Sequence, residues 1–165
     1  MATAAAKLTV AEFESQYGQE KPYYEYWHGE PVQKSMPTWL HSFLQNILVN
    51  LLAQAGYRAA GEVKLKIDPD FQPIPDVVAT RQRVQLPYPT TALDVVIEIL
   101  SESDPHSRLM TKLRIYETWG FEQIYVVDPD SRTVFRWCDH RLEEVTEIAT
   151  IPIERIWSAL DQELS

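Results

Sequence analysis

Hydrophobic and polar positions along the chain change period several times, and each change predicts an element. Thr9-Val10-Ala11-Glu12 has capping-box spacing, which predicts a short helix running to about Tyr17. Pro22 opens an extended stretch, Tyr23 to Trp27. His28-Gly29 reads as a turn, and Glu30 to Ser35 returns as the second strand of a hairpin. From Pro37-Thr38 the period lengthens to that of a helix, with Leu40, Phe43, Leu44, Ile47, Leu48, Leu51 and Leu52 on one side and Gly56 closing it. Residues 57 to 67 read as a strand or bent pair broken at Gly61, followed by the turn Asp68-Pro69-Asp70. Two short apolar runs, Ile74 to Thr80 and Leu93 to Leu100, read as strands. The Pro87- and Pro89-bearing link between them, Arg81 to Thr91, reads as a loop. Ser103-Asp104-Pro105 starts a helix that ends at Trp119 and Gly120, and Gln123 to Asp128 is a further apolar strand. Arg132 to Cys138 and Arg141 to Ile148 form a hairpin around Asp139-His140, and Ile153 to Leu160 is a short amphipathic helix.

This order predicts a mixed α/β (α+β) chain with a central mixed β-sheet flanked by helices. Strand Leu93 to Leu100, a helix and strand Gln123 to Asp128 have the length of a parallel βαβ crossover, whose sites lie at strand ends. One polar residue interrupts the pattern. Val95 to Leu100 is apolar except for Glu98, and a run of that kind belongs to a strand covered on both faces. A carboxylate there is costly unless it is paired, hydrogen-bonded or metal-bound. Its nearest candidate partners are Asp76, on the neighbouring strand, and Lys112, on the following helix. Two carboxylates and a lysine at strand ends suit a divalent ion and phosphodiester hydrolysis.

Length and composition narrow this picture. At 165 residues with 45% hydrophobic content, a single domain spanning 1–165 with a core of about 36–130 is expected. The one cysteine, Cys138, excludes an internal disulfide and a cysteine-rich zinc site. No stretch approaches a membrane span or a signal-peptide core, so a cytoplasmic protein with no membrane partner is expected. The net charge of −9 argues against a polyanionic partner, but it is unevenly spread. Residues 1–30 carry five acids against two bases, and residues 121–165 ten against four, while residues 31–120 hold nine of each. Lys64, Lys66, Arg81, Arg83, Arg108, Lys112 and Arg114 are candidates to line one cleft. With five glycines there is no phosphate-cradling loop and no nucleotide cofactor is expected. A Gly-x-Ser-x-Gly nucleophile elbow is absent as well. The five tryptophans are scattered, reading as core or interface rather than as a base-stacking platform.

Taken in order, several stretches make a familiar set: Tyr24-Glu25-Tyr26-Trp27-His28-Gly29-Glu30, His41, Ile74-Pro75-Asp76, Val96-Ile97-Glu98-Ile99-Leu100-Ser101, Lys112 with Tyr116 and Gly120, and Ile124 to Pro129. Over roughly residues 8–160 the chain resembles a family of small restriction-endonuclease-like proteins abundant in cyanobacteria, within the PD-(D/E)XK nuclease superfamily. The resemblance implies a restriction-endonuclease-like core with an N-terminal hairpin and C-terminal strand additions. It implies a metal-dependent endonuclease acting on DNA, with Asp76, Glu98 and Lys112 catalytic and Glu25 and His41 at the site's edge. Asp76, Glu98 and the Ile99 backbone carbonyl would hold Mg²⁺ or Mn²⁺. The lysine usual two residues after the glutamate is Leu100 here, and Lys112 stands in for it from the next helix.

Plainer readings exist for each residue. Asp76 can be a strand-entry residue, Glu98 the partner of Arg114, Lys112 a solvated helix residue, Glu25 a hairpin-face residue and His41 a helix residue bonded to a loop. His28, His106 and His140 lack metal-ligand spacing. The alternative to an active nuclease is a catalytically weak or inactive nuclease-fold binding or assembly module. A homodimer is expected, since cutting both strands takes two sites, with Trp137, Ile151, Ile156 and Trp157 as candidates for a self-complementary patch.

Overall fold

The structure, a computed structural model, describes residues 6–165. A six-stranded mixed sheet is its centre, in the order β3 (Arg58–Gly61), β5 (Val77–Thr80), β6 (Val95–Ile99), β7 (Gln123–Asp128), β8 (Thr133–Cys138), β9 (Arg141–Val145). All pairs are antiparallel except β6–β7, which is parallel as the crossover length required. A second sheet orders β2 (Glu30–Gln33), β1 (Tyr24–Trp27) and β4 (Phe71–Gln72), and a small β10–β11 ladder (Glu147–Ile148, Ile151–Pro152) lies near the C-terminal end.

Alternation along β5 and β6 assigns the two faces. Val77, Ala79, Val95, Ile97 and Ile99 pack with α2 (Trp39–Gln54) and α4 (Ile153–Leu164). Val78 and Val96 pack with Leu113 and Tyr116 of α3 (His106–Trp119). Every residue of β6 is buried, as an apolar run with no polar face requires. The one charged residue of that strand, Glu98, has the parity of Val96 and so belongs to the α3 face.

Local chemistry sets the helix ends. Thr9 and Glu12 form the reciprocal capping box of α1 (Val10–Tyr17), and the Thr38 side chain accepts from the His41 N–H at the start of α2. Gly120, at φ 97°, ends α3 in the left-handed region, where a side chain would be strained. His28-Gly29 and Asp139-His140 both turn with positive φ, as their hairpins demand. The start of α3 differs from expectation. Its cap is Pro105 with no side-chain bond, and Asp104 instead accepts from Ser35 Oγ at 2.5 Å.

Several sequence boundaries need correction. Val63 to Ile67 form no strand, Ile74 to Asp76 precede β5 instead of opening it, and α4 continues four residues past Leu160. The two-residue strand β4 was not foreseen. More consequentially, Trp137, Ile151, Ile156 and Trp157 are core residues, exposed by 9% at most. Trp137 packs in the α3-side cluster and the other three in the α2/α4 side, so they cannot form a self-complementary patch. Among the described residues no helix is long and apolar enough to cross a membrane.

Candidate active site

The ladder β5–β6 pairs Val77 with Ile97. One step further, Asp76 stands beside Glu98 and Ile99, and the Ile99 N–H donates to Asp76 Oδ2 at 2.7 Å. Asp76 is fixed by its backbone too. Its carbonyl accepts from Gln45 Nε2 of α2 at 2.8 Å and from the Glu62 N–H at 3.3 Å. Gly61 makes room for the first of these, because a Cβ there would come within 2.5 Å of Gln45 Nε2. The other carboxylate oxygen, Oδ1, meets Lys34 Nζ at 3.0 Å and His41 Nε2 at 3.1 Å.

A second cluster adjoins it. Lys112 Nζ reaches Glu25 Oε2 at 2.8 Å and Glu98 Oε1 at 2.7 Å, and Tyr116 OH donates to the same Glu98 oxygen at 2.6 Å. Lys112 and Tyr116 lie four residues apart on α3 and share its sheet-facing side, which is why both reach Glu98. Glu25, at the middle of β1, also accepts from the Ile74 N–H at 2.6 Å. The strand-entry segment 74–76 is thus pinned by a carboxylate from the small sheet and hands its own carboxylate to the large one. Glu98 Oε2 has no hydrogen-bond partner among the described residues.

The charges respond to this packing. Burial would raise the Asp76 pKa, but the Lys34 charge, the His41 bond and charge and the Ile99 N–H outweigh it and hold the carboxyl well below the usual range. For Glu98 burial prevails. Helped by Asp76 and Glu25 and opposed by Lys112 and Lys34, it pushes the carboxyl up to about 7. Burial alone would lower the Lys112, Lys34 and His41 values. Glu25 and Glu98 raise that of Lys112, and Asp76 above all raises those of Lys34 and His41. Tyr116 is pushed up by burial, then by the Glu98 charge, and stays a proton donor.

These groups open into a pocket of about 800 Å³, the size of a small-ligand or single-nucleotide cleft. Glu25, Lys34, His41, Asp76, Glu98, Ile99 and Lys112 line it, together with Met36, Leu40, Ser101 to Asp104, Arg108 and Asp128 to Asp130. All five site side chains expected from the sequence are therefore together. Leu100 lines the same pocket and packs half-buried on the α3-side cluster, while Lys112 supplies the ammonium beside Glu98. Lys34 and Gln45 were missed. The signal for Lys34 was weak, a lysine just past a hairpin strand with no partner in the sequence pattern.

The candidate basic residues do not gather in one cleft, and Glu98 does not take the plainer partner Arg114. Of the seven basic residues proposed for one cleft, only Arg108 and Lys112 line this pocket. Lys64 and Lys66 pair with Glu14, and Arg81 lies over Tyr57. Arg114 is exposed and takes no part in holding Glu98. His28 pairs with Asp70 and His140 with Glu117, both as turn residues.

Among the described residues no three His, Cys, Asp or Glu side chains gather into a ready cage for an ion. The donor set does fit one hard ion that takes few protein ligands. Asp76, at the entry of β5, and Glu98 of β6 are neighbouring oxygen donors, and Mg²⁺ is commonly held by one or two carboxylates with waters and substrate phosphate completing the shell.

Comparison with known proteins agrees with this architecture. The Uma2 family model, described as "Putative restriction endonuclease", matches residues 10–160. A solved structure from Anabaena variabilis, titled a "putative nuclease belonging to DUF820", superposes with a TM-score of 0.73 at 23% identity. The match covers 93% of this chain and 99% of that one, and it shows a shared fold. A DrdV–DNA complex gives a TM-score of only 0.42 at 16% identity, over 71% of this chain and 10% of that one. No curated protein matches significantly.

Proposed function

The chain belongs to the Uma2 restriction-endonuclease family, and from that premise we propose that it is a metal-dependent endonuclease hydrolysing phosphodiester bonds in DNA. The observation that carries the reading is the pair Asp76, at the entry of β5, and Glu98 of the antiparallel neighbour β6, at a pocket, with a free Glu98 oxygen and two lysines in reach. Asp76, Glu98 and the Ile99 carbonyl would hold Mg²⁺ or Mn²⁺. Such an ion, when bound, polarises the scissile phosphate and lowers the pKa of an attacking water.

The remaining work falls to the chain's own groups. Lys112, itself anchored by Glu25, holds Glu98 at the strand end, Tyr116 fixes its rotamer by a hydrogen bond, and Gln45 and the Ile99 N–H orient Asp76. Lysine ammonium groups offset charge growing on the phosphate oxygens. His41, bonded to Asp76 through Nε2, keeps that carboxylate ionised. One site cuts one strand, so the reading carries a homodimer with it, and light-scattering mass at micromolar concentration tests that part.

The decisive experiment is cleavage of plasmid, linear duplex and single-stranded DNA with Mg²⁺ or Mn²⁺, with Asp76→Ala alongside. Cleavage lost in Asp76→Ala supports the reading. No cleavage by the wild type on any of these substrates overturns it, and retained DNA binding would then leave a binding module on a nuclease fold.

A further inference from the structure

Lys34 is the cation the sequence pattern did not reveal. Its backbone N–H extends the small hairpin by donating to the Tyr23 carbonyl at 2.8 Å, and its side chain, 12% exposed, runs to the entry of β5. An ammonium has three protons to donate. One goes to the Ile74 carbonyl at 2.6 Å and one to Asp76 Oδ1 at 3.0 Å. The third has no hydrogen-bond partner among the described residues, the half-exposed Glu62 standing 3.9 Å away. Lys112 also makes two close contacts, but both are to buried carboxylates, which together outweigh its charge.

Charge balance then separates the two lysines. Lys112 and Glu25 cancel. Lys34 shares Asp76 with His41 and stands where a divalent ion on Asp76 and Glu98 would be its close neighbour. Two carboxylates facing a dication and a lysine leave one positive charge in excess among these four groups, beside the half-exposed Glu62 that stands 3.9 Å from Lys34. An anion in the pocket relieves it, and the phosphodiester is the anion that the nuclease reading supplies.

We propose that Lys34, rather than Lys112, is the lysine that meets the scissile phosphate: with a divalent ion on Asp76 and Glu98, its ammonium leaves Asp76 Oδ1 and takes a non-bridging phosphate oxygen. This rests on the nuclease reading and changes which residue touches the substrate. Lys112 becomes a positioning residue that acts through Glu98. The Ile74 carbonyl keeps Lys34 in reach while it exchanges partners, since that bond does not involve the carboxylate.

The test reads binding, so it does not depend on turnover. Wild type, Lys34→Met and Lys34→Arg are titrated with Mn²⁺ alone, then with a short DNA duplex in Ca²⁺ over a series of salt concentrations. Lys34→Met should hold Mn²⁺ at least as tightly as the wild type, because a competing cation has gone from Asp76. Its DNA affinity should fall about tenfold and its salt slope by about one, the loss of a single phosphate contact. Lys34→Arg should restore the slope. Weaker Mn²⁺ binding in Lys34→Met with an unchanged salt slope overturns the proposal, for Lys34 then only holds Asp76 in place. If the wild type cuts DNA and the Lys34 variants keep its slope, the nuclease reading stands and this assignment falls. A wild type that binds neither Mn²⁺ nor DNA fells both. Should Lys34→Met melt too low to titrate, Lys34→Gln keeps a donor for the Ile74 carbonyl and carries the same readouts.

Discussion

Two lysines meet three carboxylates in this pocket on opposite terms. Lys112 lies on α3 in a buried knot with Glu25, Glu98 and Tyr116, where each contact is 2.6–2.8 Å long. Lys34 lies at the edge of the small sheet, bonded to a carbonyl and to an aspartate that it shares with a histidine. The knot sets its lysine against two carboxylates and holds the fold at the strand ends. Lys34 has a single buried carboxylate and a neutral carbonyl against its charge, and it lines the space a substrate would enter. Proximity to the acids is therefore a poor guide to role, and the charge of the partners already taken is a better one.

The comparison breaks first at the knot. Lys112→Met strips the cation from two buried carboxylates and should cost about 3–5 kcal/mol of stability, the range for halving a buried pair, read as a lower denaturation midpoint at unchanged m-value. A loss under about 1 kcal/mol, with turnover alone reduced, would make Lys112 the substrate lysine instead.

Next is the pH dependence of Glu98. Its carboxyl rises from an ordinary 4.5 to about 7 in the folded chain, so its favourable contribution is complete below pH 4.5 and disappears as pH rises through 7. Relative to Glu98→Gln, the metal-free wild type should lose up to about 3 kcal/mol across that window and run parallel above it. Parallel curves throughout would mean that Lys112 and Tyr116 already keep Glu98 ionised. Asp76 works in the other direction. Its pKa is depressed, so its contribution is present above its ordinary value of 3.8 and is lost only in stronger acid.

Tyr116→Phe removes one hydrogen bond to a charged group and should cost about 1.5–3 kcal/mol, with the Glu98 transition moving higher in pH. An unmoved transition would detach Tyr116 from the knot. The smallest effect is expected from Arg132→Ala. The Arg132–Asp161 pair lies at the solvent-exposed surface, and its removal should leave the melting temperature within error. A clear drop would show that exposed pairs matter here as much as the buried knot.

The elements themselves were legible in the sequence because their signals are local. Thr9 and Glu12 cap α1, Asp139-His140 turns β8 into β9, and Gly120 stops α3. Glu98 was legible for a thermodynamic reason: an acid in an apolar strand must be compensated, and Lys112 and Tyr116 compensate it. Lys34 was invisible because its partners, Ile74 and Asp76, lie 40 and 42 residues away and nothing in its own surroundings marks it as buried. The apolar residues assigned to a dimer patch misled for a related reason. Trp137 and Ile156 look alike as sequence whether they cover a partner or the chain's own sheet, and here the sheet claims them.

The small hairpin carries a consequence for the order of events in folding. It contributes Glu25 and Lys34, yet neither acid nor base finds its main partner nearby: Ile74 is 49 residues and Lys112 87 residues beyond Glu25. While the chain is being synthesised, Glu25 stays in water until α3 has emerged and the hairpin docks onto the strand entry. Closing loops of that length is slow, and it buries acid and base in the same event. The pocket should accordingly be among the last parts of the molecule to acquire its native shape and among the first to lose it. Amide exchange at Ile74 and Ile99 would then report opening of the site well before the central strands let go.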